Sequence, residues 1–219
     1  MAQVSVSVLA CDTMRMGEQI LKAEKAGADF IHVDVMDGNY VENLSFGAQH
    51  VRDLKKITSL PVAVHLELFH PERFLDMFAG AGADILTFQL DACHNPLHFL
   101  REIRRRGMEA GVGIGPAYSI ENLKYLLHLA DRLTLMSVEP GYGGQVFEES
   151  VYEKLRRMQE LTKAAGLEIP IGVDGGVNLE IGSRLLNSGA DVLIAGSYIF
   201  RQGEIGKQVK ALKRLEIQK

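Results

Sequence analysis

Two hydrophobic periods take turns along this chain, and they do so eight times. Short runs rich in Val, Ile and Leu lie near 4–9, 29–35, 62–67, 84–90, 110–115, 132–138, 169–174 and 191–196. Between them, near 14–26, 47–57, 71–81, 96–107, 119–129, 149–166, 178–188 and 204–216, apolar positions recur three and four apart, as on one face of a helix. Several of the short runs, such as Val192-Leu193-Ile194-Ala195, are almost continuously hydrophobic. That suits parallel strands covered on both faces. A punctuation repeats at Gly27-Ala28-Asp29, Gly82-Ala83-Asp84 and Gly189-Ala190-Asp191, where a glycine can close a helix and a strand begins at once. These helix-to-strand connections are short. The unusual residues sit instead after the strands, at 36–46, 67–71, 139–148 and 175–178.

Eight such units, with their special residues only at the strand C-termini, predict an α/β fold of the (β/α)8 TIM-barrel type. A doubly wound sheet would carry a glycine-rich loop after its first strand. Here that stretch reads Leu9-Ala10-Cys11-Asp12-Thr13, so the barrel is preferred. No linker or low-complexity segment interrupts the 219 residues, and one domain, 1–219, is expected.

Composition narrows the function classes. A net charge of −4 gives no footprint for nucleic acid. No run approaches the roughly 18 apolar residues of a membrane span, and Met1-Ala-Gln-Val lacks the basic start of a signal peptide. Two cysteines are too few for a disulfide framework, and Cys11 reads as a small filler rather than a reactive thiol. A cytoplasmic location is therefore expected.

Two aspartates carry the candidate chemistry. Asp34 lies in His32-Val-Asp34-Val-Met36-Asp37-Gly38, and Asp174 in Gly172-Val-Asp174-Gly175-Gly176. His32 and Asp34 are two apart on one strand and so share its face. His65 ends the neighbouring run Val62-Ala-Val-His65-Leu66-Glu67, and Asp174 arrives from across the barrel. Two imidazoles and two carboxylates suit one divalent cation, Zn²⁺, Fe²⁺, Co²⁺ or Mn²⁺. A lone inward His is commonly a satisfied core residue, but an unpaired buried Asp is too costly to be filler. His50, His70, His94, His98 and His128 fall on helices or loop starts and read as surface or capping residues. Asp37 reads as a turn residue, and Met36 and Met136 as pocket lining or flexible packing.

Three glycine-rich turns follow the last three strands: Pro140-Gly141-Tyr142-Gly143-Gly144-Gln145, Asp174-Gly175-Gly176 and Ala195-Gly196-Ser197. Backbone N–H groups without a Cβ in the way can approach a phosphate closely. No Lys or Arg lies in these turns, so binding would rest on amides and helix dipoles.

In combination and order these motifs, with Val41-Glu42-Asn43 and Met136-Ser-Val-Glu-Pro140, resemble the ribulose-phosphate 3-epimerase family over nearly the whole chain. The resemblance implies a metal-dependent barrel that inverts C3 of a phosphorylated ketose, in the first instance D-ribulose 5-phosphate to D-xylulose 5-phosphate. It implies His32, Asp34, His65 and Asp174 as metal ligands, Asp34 and Asp174 as the acid/base pair, and Ser7 as a substrate contact. The glycine-rich turns would be its phosphate site, and homo-oligomers are expected. Taking a proton from one face of a carbon beside a carbonyl and returning one to the other needs two acids, and a cation would stabilise the enediolate.

The departures from the family pattern are specific. Its Phe-Val-Pro-Asn reads Tyr40-Val41-Glu42-Asn43, its His-Leu-Met reads His65-Leu66-Glu67, its His-x-Glu after strand four reads Gln89-Leu90-Asp91, and its Asn-Pro reads Gly115-Pro116. Glu67 stands where an apolar Met covers the substrate, so another ketose phosphate, such as D-allulose 6-phosphate, is an alternative. Decarboxylase and hexulose-phosphate synthase barrels use Asp-x-Lys-x-x-Asp. Asp34-Val-Met36-Asp37 has no lysine. A non-catalytic phosphosugar-binding barrel would have no need of two acids.

Overall fold

The computed structural model describes residues 2–201 and 204–216; the outermost ends of the expected 1–219 domain lie outside them. All eight apolar runs form parallel strands: β1 (Gln3–Ser7), β2 (Phe30–Met36), β3 (Val62–Glu67), β4 (Ile85–Gln89), β5 (Glu109–Ile114), β6 (Arg132–Met136), β7 (Ile171–Asp174) and β8 (Val192–Ala195). They pair in chain order, and β8 pairs with β1, closing the barrel. This is the predicted (β/α)8 architecture and excludes the open sheet.

The helices are α1 (Met16–Lys25), α2 (Ala48–Ile57), α3 (Leu75–Ala79), α4 (Pro96–Arg105), α5 (Val151–Ala164), α6 (Leu179–Asn187), α7 (Ser197–Arg201) and α8 (Ile205–Lys213). No helix among the described residues is long and apolar enough to cross a membrane.

Two of the expected helices differ. Residues 119–129 form no α-helix; a 3₁₀ segment, Glu121–Tyr125, is followed by turns. Its buried anchors Ile120, Leu123 and Leu126 recur every third residue, and Leu123 N–H, Leu126 N–H and Leu129 N–H each bond the carbonyl three residues back. Leu127 N–H and Ala130 N–H instead reach four residues back, so three- and four-residue bonds mix and no continuous α-helix forms. Within 71–81, a 3₁₀ turn at Pro71–Phe74 precedes the short α3. The helix α7 is additional to the expected set.

Period two along the strands divides the interior. Residues such as Val4, Val6, Ile31, Val33, Val64, Leu86, Val112, Leu133 and Leu193 face outward and form the large core beneath the helices. Inside the barrel, Phe30, Ala63, Ile85, Val192 and Ile194 make a small floor. The Arg132 guanidinium stacks over the Phe30 ring, 4.6 Å from its centroid, and pairs with Glu109. Above this floor the inward positions turn polar.

The Ala-Asp punctuation is a clamp at the barrel base. Asp29, Asp84, Asp131 and Asp191 each start an even-numbered strand. Each carboxylate accepts from the first unpaired N–H of the preceding odd strand: Val4 at 2.7 Å, Val62 at 2.7 Å, Ala110 at 2.9 Å and Ile171 at 2.8 Å. Each aspartate N–H returns a bond to the same residue's carbonyl. The fourth copy, Ala130-Asp131, follows Leu129 rather than a glycine. Four repeats of one clamp hold strand register at the end of the barrel remote from the functional loops.

Replacing the clamp acceptor strands a buried N–H. Asp191→Ala is expected to lower stability by about 1–3 kcal/mol. Asp191→Asn, which keeps an acceptor oxygen, should lose less than half of that. Urea unfolding of both variants checks the difference; equal losses would show that the carboxylate's bond to Ile171 is not what stabilises this edge.

Candidate active site

At the mouth of the barrel the strands deliver His32 and Asp34 from β2, His65 from β3 and Asp174 from β7, all buried. The pairing of β2 with β3 sets Asp34 level with His65. Four donor atoms close a ring: His32 Nε2 to Asp34 Oδ1 at 2.9 Å and to Asp174 Oδ2 at 3.1 Å, and His65 Nδ1 to the same oxygens at 3.5 and 3.7 Å. All four residues offer ligand atoms within 4.8 Å of one another.

This ring fits a divalent cation. Donors bound at about 2.1 Å around one centre lie roughly 3.0–3.4 Å apart, close to the four separations here. His65 Nδ1 is buried and makes no hydrogen bond within the protein, as a ring nitrogen kept for a metal would be. Its other nitrogen, Nε2, lies 3.1 Å from the side-chain amide of Gln89 at the end of β4, and Gln89 Oε1 also lacks a partner. With Gln89 presenting that oxygen, Nε2 keeps its proton and Nδ1 is the nitrogen that a cation would take. Gly113 on β5 makes the room, since a Cβ there would come within 3.1 Å of His65 Nε2.

Burial disfavours every charge in the ring, yet mutual attraction prevails. Burial alone would depress His32 and His65, but the facing carboxylates raise both, His65 to about 9. Burial would raise Asp34, but the facing His32 and His65 rings, with the His32 hydrogen bond, hold its carboxyl far below the usual range. Ser7 Oγ donates to Asp34 Oδ2 at 2.8 Å, fixing the carboxylate so that Oδ1 faces the ring. Glu67, also inward on β3 and only 1% exposed, behaves oppositely: burial and the Asp34 charge push it up to about 8.

The three glycine turns converge on the opposite wall of the same cavity, whose lining includes Ser7, Met36, Glu67, Met136, Gly141, Gly143, Gly144, Gln145, Gly175, Gly176, Gly196 and Ser197. A Cβ on Gly143 would lie 3.5 Å from Ser197 Oγ, and one on Gly176 3.6 Å from the Gln145 carbonyl, so the turns are in contact. Gly175 has φ of +114°, and a Cβ there would meet Val138 Cγ2 at 2.6 Å, which leaves glycine as the residue that fits. The Gln145 amide braces its own loop through the carbonyls of Glu139 and Tyr142. The loop after β2 reaches across the mouth: Asn43 Nδ2 donates to the Gly141 carbonyl at 2.8 Å and Tyr142 Oη to that of Glu42 at 2.5 Å. Asp37 organises that loop, accepting from Asn39, Tyr40 and Phe69 N–H groups.

Two participants escaped the sequence reading. Gln89 was noticed only as a departure, though it is inward by period two from Thr87. Arg201 closes α7, four residues after Ser197 and hence on the same helical face; its Nη1 would lie 3.7 Å from a Cβ on Gly144. A cation therefore stands beside turns that carry none of their own. His50, His94, His98 and His128 are exposed and His70 half-buried, and His50 Nδ1 faces the Gly47 N–H at the start of α2. Burial pushes the Cys11 and Cys93 thiols up to about 11, the behaviour of packing residues.

The Ribulose-phosphate 3 epimerase family model matches residues 3–200. A protein of Bacillus subtilis named ribulose-phosphate 3-epimerase is 36% identical over 214 residues, 97% of this chain and 99% of that protein. One of the same name from Methanocaldococcus jannaschii is 35% identical over 218 residues, 100% of this chain and 92% of that protein. Among solved structures, a mutant tryptophan synthase α-subunit from Pyrococcus furiosus superposes with a TM-score of 0.72 at 17% identity, covering 97% of each chain, a likeness of fold alone.

Because both imidazoles are held above their ordinary value, a cation must displace their protons. At pH 7.5 metal uptake should release about two protons, and apparent affinity should climb with pH through the range in which the two imidazoles lose them. The sign reverses for the metal-free fold: His65's raised value stabilises it below about pH 6.5, and that contribution fades as pH rises through about 9. Titration calorimetry of the metal-free protein with Zn²⁺ in buffers of different ionisation enthalpy counts the protons. Release near zero would mean that the rings are already neutral.

Proposed function

The chain belongs to the ribulose-phosphate 3-epimerase family, and on that premise we propose that it inverts C3 of a ketose phosphate, interconverting D-ribulose 5-phosphate and D-xylulose 5-phosphate. The observation that carries this reading is the convergence of two buried carboxylates, Asp34 from β2 and Asp174 from β7, in one cavity with a glycine-lined cradle. Epimerisation beside a carbonyl requires removal of a proton from one face and delivery to the other, without a redox step. Two acids reaching in from nearly opposite sides of the barrel meet that need.

The cradle of Gly143, Gly144, Gly175, Gly176, Gly196 and Ser197 takes the phosphate through backbone amides and the Ser197 hydroxyl, with Arg201 adding charge. Anchoring that end lays C3 over the His/Asp ring. In one direction Asp34 removes the C3 proton and Asp174 delivers one to the opposite face; in the reverse direction the two exchange roles. A divalent cation held by His32, Asp34, His65 and Asp174 supplies Lewis-acid stabilisation of the negative charge developing on the substrate oxygens, which lets acids of low intrinsic pKa act on a carbon proton. Ser7 keeps Asp34 oriented through its hydrogen bond. Met36 and Met136 line the cavity and keep bulk water away from the reacting carbons.

Asp174→Asn keeps shape and removes the proton carrier. A coupled assay with D-ribulose 5-phosphate should show kcat lowered by about 10²–10⁴, with the far-ultraviolet circular dichroism unchanged. Activity within about tenfold of the parent, with metal content also preserved, would remove Asp174 from proton transfer and leave the two-acid reading without support.

A further inference from the structure

Among the described residues Glu67 is the one buried carboxylate at the mouth to which the reaction assigns nothing. It is buried on β3, its Oε2 makes no hydrogen bond in the protein, and it lines the same cavity as Asp34, Asp174 and the glycine turns. The charged groups that bear on it are Asp34, Asp174, His65 and His32, with no Lys or Arg among them. Tyr40, a neighbouring hydroxyl that feels the Glu67 charge, is committed elsewhere: its Oη donates to both Asp91 oxygens at 3.1 Å. A buried acceptor left without a partner costs free energy unless something entering the cavity supplies the donor.

Position says what that donor is. In the closed order of eight strands, β3 stands opposite β7, whose Gly175-Gly176 turn is part of the cradle. Glu67 is two residues beyond His65, roughly 7 Å nearer the mouth along the strand. A ligand with its phosphate in the cradle and its reacting carbons over the His/Asp ring therefore directs its far end at Glu67. In a ketose phosphate that end is the C1 hydroxymethyl group.

We propose that Glu67 is a specificity-determining residue that accepts a hydrogen bond from the terminal hydroxyl remote from the phosphate, so that the site selects 1-hydroxylated ketose phosphates against their 1-deoxy analogues. The inference rests on the ketose-phosphate reading of the site. It makes the β2–β5 wall the reader of the sugar terminus.

The test compares D-xylulose 5-phosphate with 1-deoxy-D-xylulose 5-phosphate, which differ only in that hydroxyl. Their dissociation constants are measured by calorimetry on the metal-loaded protein and on Glu67→Gln and Glu67→Met. The parent should bind the hydroxylated sugar about 10- to 100-fold more tightly. Glu67→Gln, which keeps an acceptor, should retain most of that ratio, and Glu67→Met should bring it towards one. An unchanged ratio in Glu67→Met overturns the proposal, as does a parent ratio near one. Loss of bound metal in Glu67→Met with the ratio intact would assign Glu67 to the cation and overturn it equally. Solvent-deuterium exchange at C3 of the hydroxylated sugar is followed separately. Exchange with an unaltered ratio refutes the role of Glu67 alone, whereas no binding of either sugar refutes the ketose-phosphate reading and this inference with it.

Discussion

Two carboxylates and two imidazoles, buried together at the mouth with no Lys or Arg among them, set the terms for the rest of this molecule. Isolated buried carboxylates are too costly to persist, so positive charge must share their space. Protons on His32 and His65 meet that requirement in the metal-free protein, and a divalent cation bound there would meet it in their place. The same four side chains thus serve both conditions, and the ring separations of 2.9–3.7 Å suit both. Everything nearby keeps these groups in place: Ser7 on Asp34, Gln89 on His65, and Gly113 leaving space for the His65 ring.

The barrel separates stability from chemistry by position. At its base, four aspartates clamp the starts of the odd strands, a repeated device whose value lies in register. At its mouth, irregular loops diverge from one another and carry the ligand-facing groups. The two walls of that mouth differ in kind. One presents glycines and backbone amides, suited to a phosphate that every substrate of the class shares. The other carries Glu67, buried and facing the cavity, with Gln89 bound to His65 and Tyr40 bound to Asp91 behind it.

Much of this was legible in the chain because strand periodicity is strict. A side chain two residues from an inward one is also inward, so His32, Asp34, His65 and Glu67 could be placed before any coordinates. Contacts that depend on loop trajectory were not legible. Arg201 reaches the cradle only because α7 forms at Ser197, and Tyr142 meets Glu42 across 100 residues of sequence. In the stretch 119–129 the buried Ile120, Leu123, Leu126, Leu127 and Ala130 suit a helical face, and only the backbone bonding, mixed between three and four residues back, departs from a helix. Gln89 was visible by period two, but an amide signals no chemistry until the imidazole it supports is known.

In the proposed reaction Asp34 and Asp174 move separate protons at opposite faces of C3. Its most direct test is a single turnover of D-ribulose 5-phosphate on the metal-loaded protein in D₂O, with the C3 position of the product read by NMR. The expected product is D-xylulose 5-phosphate carrying deuterium at C3, because the proton that leaves C3 goes to one carboxylate and the deuteron that arrives comes from the other. Product that retains the original C3 proton would show one group carrying it between faces, and would contradict the account.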